Sequence, residues 1–208
     1  MGFFSARTRG RCNQTTLQTC YVGHHSFLTV DESPVQTNIA SVTYNGVALT
    51  LQTRTTFESD DTHIYTLVAP ATGAPHDLVF NYSPNVLFGA HIDPVCLSGV
   101  HQTTPIGNVV SSYSAAATSP RSDAISMTAG SLAYDIVTCN CTPTVVGSQT
   151  QNYNVVWGGE RAASSRLLDA TAMAWTFSGT PRFAHSVVEI RAAGAAAPTF
   201  FQRRREGS

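Results

Sequence analysis

Residues able to do chemistry gather at three places in this 208-residue chain. The stretch ESDDTH, Glu58 to His63, brings three carboxylates and a histidine together. A hard cation such as Ca²⁺ takes six to eight oxygen ligands. Asp60 and Asp61 make this segment a weak Ca²⁺ candidate, completed by Asp93, Asn81 or Asp123 if their loops meet at one end. The pattern is not an EF-hand loop and lacks the glycine of its sharp turn. It reads as a solvated acidic hairpin tip, and no metal or other cofactor is expected. The second place is LSGVHQTTPIG, Leu97 to Gly107, with a histidine, an amide, two threonines and a proline between glycines. No partner visible in the sequence would activate His101, and Thr103 and Thr104 suit hydrogen bonding to nearby backbone. A strand-to-loop turn is therefore expected rather than a reactive loop. The third is TCNCT, whose Cys139 and Cys141 share one face of a strand. Zinc wants recognisable partner pairs, and Cys12 and Cys20 have the wrong spacing. Five cysteines leave at least one thiol free or paired to another chain. A bridge from the N-terminal segment to the main domain and unlinked thiols both remain open.

Other catalytic signatures are missing. The seven histidines (His24, His25, His63, His76, His91, His101 and His185) show no His-Glu-x-x-His spacing. No Gly-x-Ser-x-Gly nucleophile elbow is present, nor a glycine loop that would cradle phosphate. No catalytic residue is assigned, and the chain reads as a non-enzyme. Among the aromatic residues, Trp175 in AMAWTF reads as core. Trp157, beside Gly158-Gly159 at a strand end, and Tyr153 are candidate glycan contacts.

The composition suits a protein outside the cytosol. Charged residues are 12% of the chain, all twelve basic residues are arginine, and serine plus threonine number 46. A net charge of −1 gives no global field for nucleic acid, and no specific nucleic-acid partner is expected. No run approaches the ~20 apolar residues of a membrane helix, so membrane insertion is not expected. The opening MGFFSARTRGRCNQTT has no apolar run long enough for a signal peptide. Arginines cluster at both ends, Arg7, Arg9 and Arg11 in front and Arg203, Arg204 and Arg205 behind, beside the pairs Phe3-Phe4 and Phe200-Phe201. These ten residues are the candidate subunit contacts.

The elements that must position these residues are strands. Short runs rich in Val, Thr, Ile, Tyr and Phe are broken by Gly, Pro, Asn and Asp every 8–12 residues, the pattern of an all-β sandwich or barrel. Asn45-Gly46 between alternating segments predicts a two-residue type I′ hairpin. NVLFGAHIDPVCLSGV reads as one long strand bent at Pro94. A hairpin is expected around Ala129-Gly130, and a loop with a helical turn over GGERAASSRLLDA. TAMAWTFSG and FAHSVVEIRAA read as an alternating pair. In the latter, Phe183, His185, Val187, Glu189 and Arg191 face one way and Ala184, Ser186, Val188 and Ile190 the other. The expectation is an antiparallel β-sandwich, jelly-roll or Ig-like, of about nine strands. Residues 1–24 form an N-terminal arm, 25–193 the sandwich domain and 194–208 a C-terminal arm.

The succession SVTYNGVALT, IYTLVAPATGAPHDLVFNYS, LSGVHQTTPIG, SLAYDIV, AMAWTFSG and AHSVVEIRAA resembles an uncharacterised β-sandwich module. That module occurs in bacterial surface proteins, environmental sequences and tailed-phage virion proteins. The resemblance spans about residues 25–193, and in the module the central turn commonly reads Ser-Gly-Val-Asp-Gln-Thr-Thr-Pro-Ile. His101 stands where aspartate is usual. The resemblance implies a fold and a setting and carries no settled catalytic residues. Taken with the arms, it points to a structural protein of a bacteriophage particle, capsid-decorating or tail-associated. Its partners would be copies of itself and other virion or surface-layer subunits. The alternative is an extracellular carbohydrate-binding or adhesion module at a bacterial surface that takes a host surface glycan.

Overall fold

The computed structural model describes residues 5–11, 18–27, 38–57, 60–71, 75–83, 90–157, 160–194 and 199–202. Side chains are described for 39–57, 61–71, 76–81, 92–156 and 160–194. The strands are β1 (Ser5–Arg11), β2 (Gln18–Phe27), β3 (Asn38–Tyr44), β4 (Val47–Ala48), β5 (Thr50–Phe57) and β6 (Asp60–Val68). Next come β7 (Pro75–Ser83), β8 (Ala90–Ser98), β9 (Ile106–Ser114), β10 (Arg121–Ala124) and β11 (Leu132–Cys139). The chain closes with β12 (Pro143–Val145), β13 (Thr150–Trp157), β14 (Glu160–Leu168), β15 (Ala172–Phe177), β16 (Phe183–Ile190) and β17 (Thr199–Gln202). The protein is all-β, with more strands than the nine expected, in several antiparallel sheets.

Four sheets result, ordered β1-β7-β3-β4, β17-β8-β2-β6-β5, β13-β14-β11-β16-β9 and β10-β15-β12. The two five-stranded sheets face each other. Ile64, Val95 and Leu97 of one meet Leu132, Tyr134, Ile136, Val188 and Ile190 of the other. The β1-β7-β3-β4 sheet covers the outer face of its neighbour, packing Val42, Tyr44, Leu78 and Phe80 against Tyr65. On the far side, Met173, Trp175 and Phe177 of β15 cover β11, β14 and β16. The central strands β11 and β16 are therefore buried on both faces.

That layering explains where the structure departs from the sequence reading. Alternation in an antiparallel strand normally marks one core face and one wet face. In β11 and β16 every residue is buried. The division of β16 into two faces holds, but the face bearing His185 and Glu189 meets β15 rather than water. Within GGERAASSRLLDA, Glu160–Leu168 forms β14, not a loop, because the small residues Ala162 to Ser165 fit between two sheets. Ala129-Gly130 makes a turn, but β10 before it and β11 after it lie in different sheets, as do β15 and β16. Asn45 (φ 50°) and Gly46 (φ 76°) both adopt the left-handed conformation that a type I′ hairpin needs. Across Pro94, β8 pairs with β2 in continuous register.

The chain ends also take part in the sheets. β1 pairs with β7, β17 with β8, and β2 lies between β6 and β8 in the middle of an inner sheet. Residue 24, the expected end of the N-terminal arm, falls inside β2.

Candidate functional site

The densest polar constellation lies between β16 and the sheet that covers it. Its centre is His185, 2% exposed. Strand alternation aims it away from the β6 side, into the layer under β15. Its Nδ1–H donates to Asp123 Oδ2 at 2.6 Å, and its Nε2–H donates to Asp135 Oδ2 at 3.0 Å. With both nitrogens donating, the ring is an imidazolium. Trp175 Nε1–H also donates to Asp135 Oδ2 at 2.8 Å, while the Ser165 amide (2.8 Å) and hydroxyl (2.7 Å) donate to Oδ1. Gln149 extends the network, donating to Ser165 Oγ and accepting from the Ala174 amide. On the other side Asp123 accepts from Ser112 Oγ at 2.5 Å and from Arg121 Nη2 at 2.8 Å.

The electrostatics follow from this geometry. Burial pushes the His185 pKa down, but hydrogen bonds and charge from Asp123 and Asp135 outweigh it and raise the value to about 9. Burial likewise pushes Asp123 up, and His185, Ser112 and Arg121 together bring it down to about 2. One cation thus sits between two anions, with hydrogen bonds satisfying the remaining lone pairs.

This arrangement looks like a catalytic triad in composition but not in connectivity. A general base needs a neutral nitrogen that accepts a proton from the nucleophile. Here both His185 nitrogens donate to carboxylates, and the nearby Ser112 hydroxyl is bound to Asp123. The chemistry available is attachment: β10, β11, β14 and β15 are fastened to β16 through one buried charge cluster.

A second cluster clasps the central turn. The Glu189 carboxylate, whose side chain is 0% exposed, accepts from the Asn108 amide at 2.9 Å and the Thr128 amide at 2.7 Å. Burial would raise its pKa, and these amides more than offset that and hold it below the usual carboxylate range. LSGVHQTTPIG folds along the chain just after β16: His101 N donates to Arg191 O, Arg191 N to Pro105 O and Ala193 N to Gly99 O. His101 Nδ1 accepts from the Thr104 amide at 3.1 Å and lies 3.2 Å from the Thr103 and Thr104 hydroxyls. The imidazole nitrogen thus does what an aspartate oxygen does in an Asx turn. His101→Asp is expected to keep the turn. His101→Ala should lower the unfolding free energy by about 0.5–1.5 kcal/mol and speed amide exchange at Thr104. Unchanged exchange in the alanine variant would sink this assignment.

The ESDDTH segment is likewise internally paired. Asp61, 4% exposed, accepts from Arg54 Nε (3.1 Å) and Nη2 (2.9 Å) and from Thr56 Oγ1 (2.8 Å), and His63 Nε2 lies 2.8 Å from it. Asp61 is therefore not part of a solvated tip; Asp60 is described only as a backbone position opposite Phe57 and Phe27. The carboxylates that might have joined them are elsewhere, Asp93 accepting from Tyr134 and Asp123 holding His185. Asn81 donates to Ser41. Among the described residues no group of three or more His, Cys, Asp or Glu is arranged to hold a metal ion.

The remaining candidates are spread out. Tyr153 is turned inward: burial, then the nearby Tyr134 and Asp93, push its pKa well above the usual value, with Ser164 hydrogen-bonded to its hydroxyl. Trp157 ends β13 opposite Glu160, with only its backbone described. Arg7, Arg9 and Arg11 stand opposite Val79, Asp77 and Pro75, and Phe200 and Phe201 opposite Leu97 and Cys96. Phe3, Phe4, Arg203, Arg204 and Arg205 lie outside the described residues. Cys139 and Cys141 are joined by a disulfide; Cys96 is also disulfide-bonded, and Cys20 stands directly across the ladder from it.

Comparison with family models, curated proteins and solved structures finds no match to this chain. The case for function therefore rests on the geometry. Sequence reasoning passed over Asp135 and Glu189. The signal for Glu189 was an alternating face of β16 that mixed charge with Phe183 and Val187, a mixture that fits a buried ion network as well as a wet surface; Asp135 was a lone carboxylate in the apolar run of β11.

Proposed function

We propose that this chain is a non-enzymatic structural protein of a viral particle, a bacteriophage capsid-decorating or tail-associated β-sandwich subunit that assembles with copies of itself. The observation that carries the reading is the placing of β1 and β17 as outer strands of neighbouring sheets. β1 closes the edge of one sheet and β17 the edge of the next. β4 runs into β5 through Leu49, so β4 and β5 mark one side of the stack and β1 and β17 the other. A terminal edge strand can leave its own sheet and make the same ladder with the same acceptor in a neighbouring copy. The arginines of β1 and the phenylalanines of β17 would then become contacts between subunits.

Three further features support this reading. Among the described residues, five of the six large apolar side chains that stand exposed, Val47, Leu51, Val109, Tyr113 and Val156, lie on the edge strands β4, β5, β9 and β13, where a neighbour can cover them. The buried ions are consumed in holding layers together, which suits a scaffold. Disulfides at Cys96 and at Cys139–Cys141 fit a setting outside a reducing cytosol.

The test is the mass in solution by light scattering. Deletions must stop short of Gln18, because removing the central strand β2 would break an inner sheet. The full chain is expected to form oligomers, and chains lacking residues 1–12 or 199–208 to shift towards monomer. A monomeric full chain at high concentration, or an unchanged mass after both deletions, would overturn the proposal.

A further inference from the structure

The Cys139–Cys141 bridge spans a single residue at the end of β11. β11 ends at Cys139, and Cys141 lies in the turn that leads to β12. The two Cα atoms are 5.3 Å apart, closer than the ~6.6 Å of alternate residues on an extended strand. The two residues touch the same apolar cluster but differ in exposure. Cys139 is 0% exposed among Val137, Ala163, Trp175, Phe177 and Phe183. Cys141 is half-buried, between the exposed residues Asn140 and Thr142.

We propose that this disulfide is a thiol–disulfide exchange site, entered at Cys141 by a small thiol of the glutathione class. Attack on a disulfide requires a thiolate to reach one sulfur, and the open side of this bridge is Cys141. The thiolate forms a new S–S bond to Cys141 Sγ, the Cys139–Cys141 bond breaks, and the electron pair leaves on Cys139 Sγ, which takes a proton from solvent. A second small thiolate attacks the sulfur of the bound thiol and releases Cys141. In sum two small thiols are oxidised to one disulfide, and Cys139 and Cys141 are reduced. In the reverse direction Cys139 resolves the mixed disulfide, because the packing around it holds its sulfur beside Cys141.

Opening the bridge leaves the fold standing. A bridge that spans a single intervening residue constrains the unfolded chain very little. Cys139 is held in the sheet regardless, paired with Arg161 on one side and Phe183 on the other. Cys96 is half-buried like Cys141 but, unlike it, lies inside a strand with a ladder on each side. The site does not depend on how the chain assembles.

The test treats the folded full chain with increasing reduced glutathione, followed by alkylation and peptide mass spectrometry. Cys139 and Cys141 are expected to become labelled at concentrations that leave Cys96 protected and the far-ultraviolet circular dichroism unchanged. Given oxidised glutathione, the Cys139→Ser chain should carry the adduct on Cys141, whereas the Cys141→Ser chain should react at least tenfold more slowly. Opening of all bridges together with loss of strand signal would overturn the proposal. So would equal adduct rates on the Cys139→Ser and Cys141→Ser chains. If those variants do not fold, the labelling order in the unaltered chain decides.

Discussion

Replacing His185 with leucine is expected to lower the unfolding free energy by about 3–5 kcal/mol. Folded domains are stable by only about 5–15 kcal/mol, so the variant should unfold at much lower denaturant or fail to accumulate. The cause is not the lost packing of an imidazole. Leucine fills similar space, but it leaves Asp123 and Asp135 buried with no cation between them. Asp123 keeps Arg121 and Ser112, and Asp135 keeps Trp175 and Ser165. Both would still repel each other across an apolar gap. Converting the pair to neutral amides in the same chain, His185→Leu with Asp123→Asn and Asp135→Asn, should recover part of the loss. A single His185→Leu variant as stable as the parent would show that the cluster does not hold the layers together.

The same cluster sets a pH dependence whose direction is fixed. Its two carboxylate partners raise the His185 pKa to about 9, against an ordinary value of 6.5, so folding favours its charged form. That contribution is complete below pH 6.5 and disappears as the pH rises through about 9. Integrated over the interval it amounts to about 3 kcal/mol. Asp123 acts at the other end, with a folded pKa of about 2 against 3.8. Its contribution is present above pH 3.8 and fades as the pH falls through about 2. Denaturant unfolding should therefore show a plateau between about pH 4 and 6.5 and a decline on the alkaline side. In the triple variant the alkaline decline should flatten, which separates His185 from the tyrosines that titrate higher.

How much of this was legible depended on whether a residue's role was local. The Asn45-Gly46 hairpin was, since two left-handed residues and a two-residue loop are a contract between neighbours. So was the turn at LSGVHQTTPIG, where His101 bonds to residues two and three positions on. The two faces of β16 were readable from period alone, and Trp175 read correctly as core. What lay over each face was not, because it depends on β10, β12 and β15 returning as a covering sheet. That return is also why β14 was missed. Ala162, Ala163, Ser164 and Ser165 have weak strand propensity, and they form a strand because there is little room between the sheets for anything larger. The terminal segments look like arms by their charge, yet β1 and β17 are placed by the open edges of β7 and β8. Neither edge is visible from the terminal sequence itself.

Gly107→Ala is the second substitution expected to have a large effect, and it acts through space rather than backbone angle. Gly107 does not adopt the left-handed conformation, so alanine suits its φ. A Cβ built there would nevertheless lie 1.8 Å from Glu189 Oε2, 2.4 Å from its carboxyl carbon and 2.9 Å from Arg191 Nε. A glutamate tip can ordinarily swing aside. This one is pinned by the amides of Asn108 and Thr128, and hydrogen bonds to a charged group are worth about 1.5–3 kcal/mol each. Moving the carboxylate breaks at least one of them and strands a charge that is fully buried, so a loss of about 3 kcal/mol is expected. Gly147→Ala is the useful contrast: its φ is +68° and nothing lies within 4 Å of a new Cβ, so only a backbone cost of about 1 kcal/mol applies. A double-mutant cycle isolates the cause. Glu189→Ala alone should destabilise by losing the clasp, but in that background Gly107→Ala should add less than about 1 kcal/mol, because the obstacle has gone. Strict additivity of the two substitutions in denaturant unfolding would mean that the carboxylate over Gly107 is not what demands glycine there.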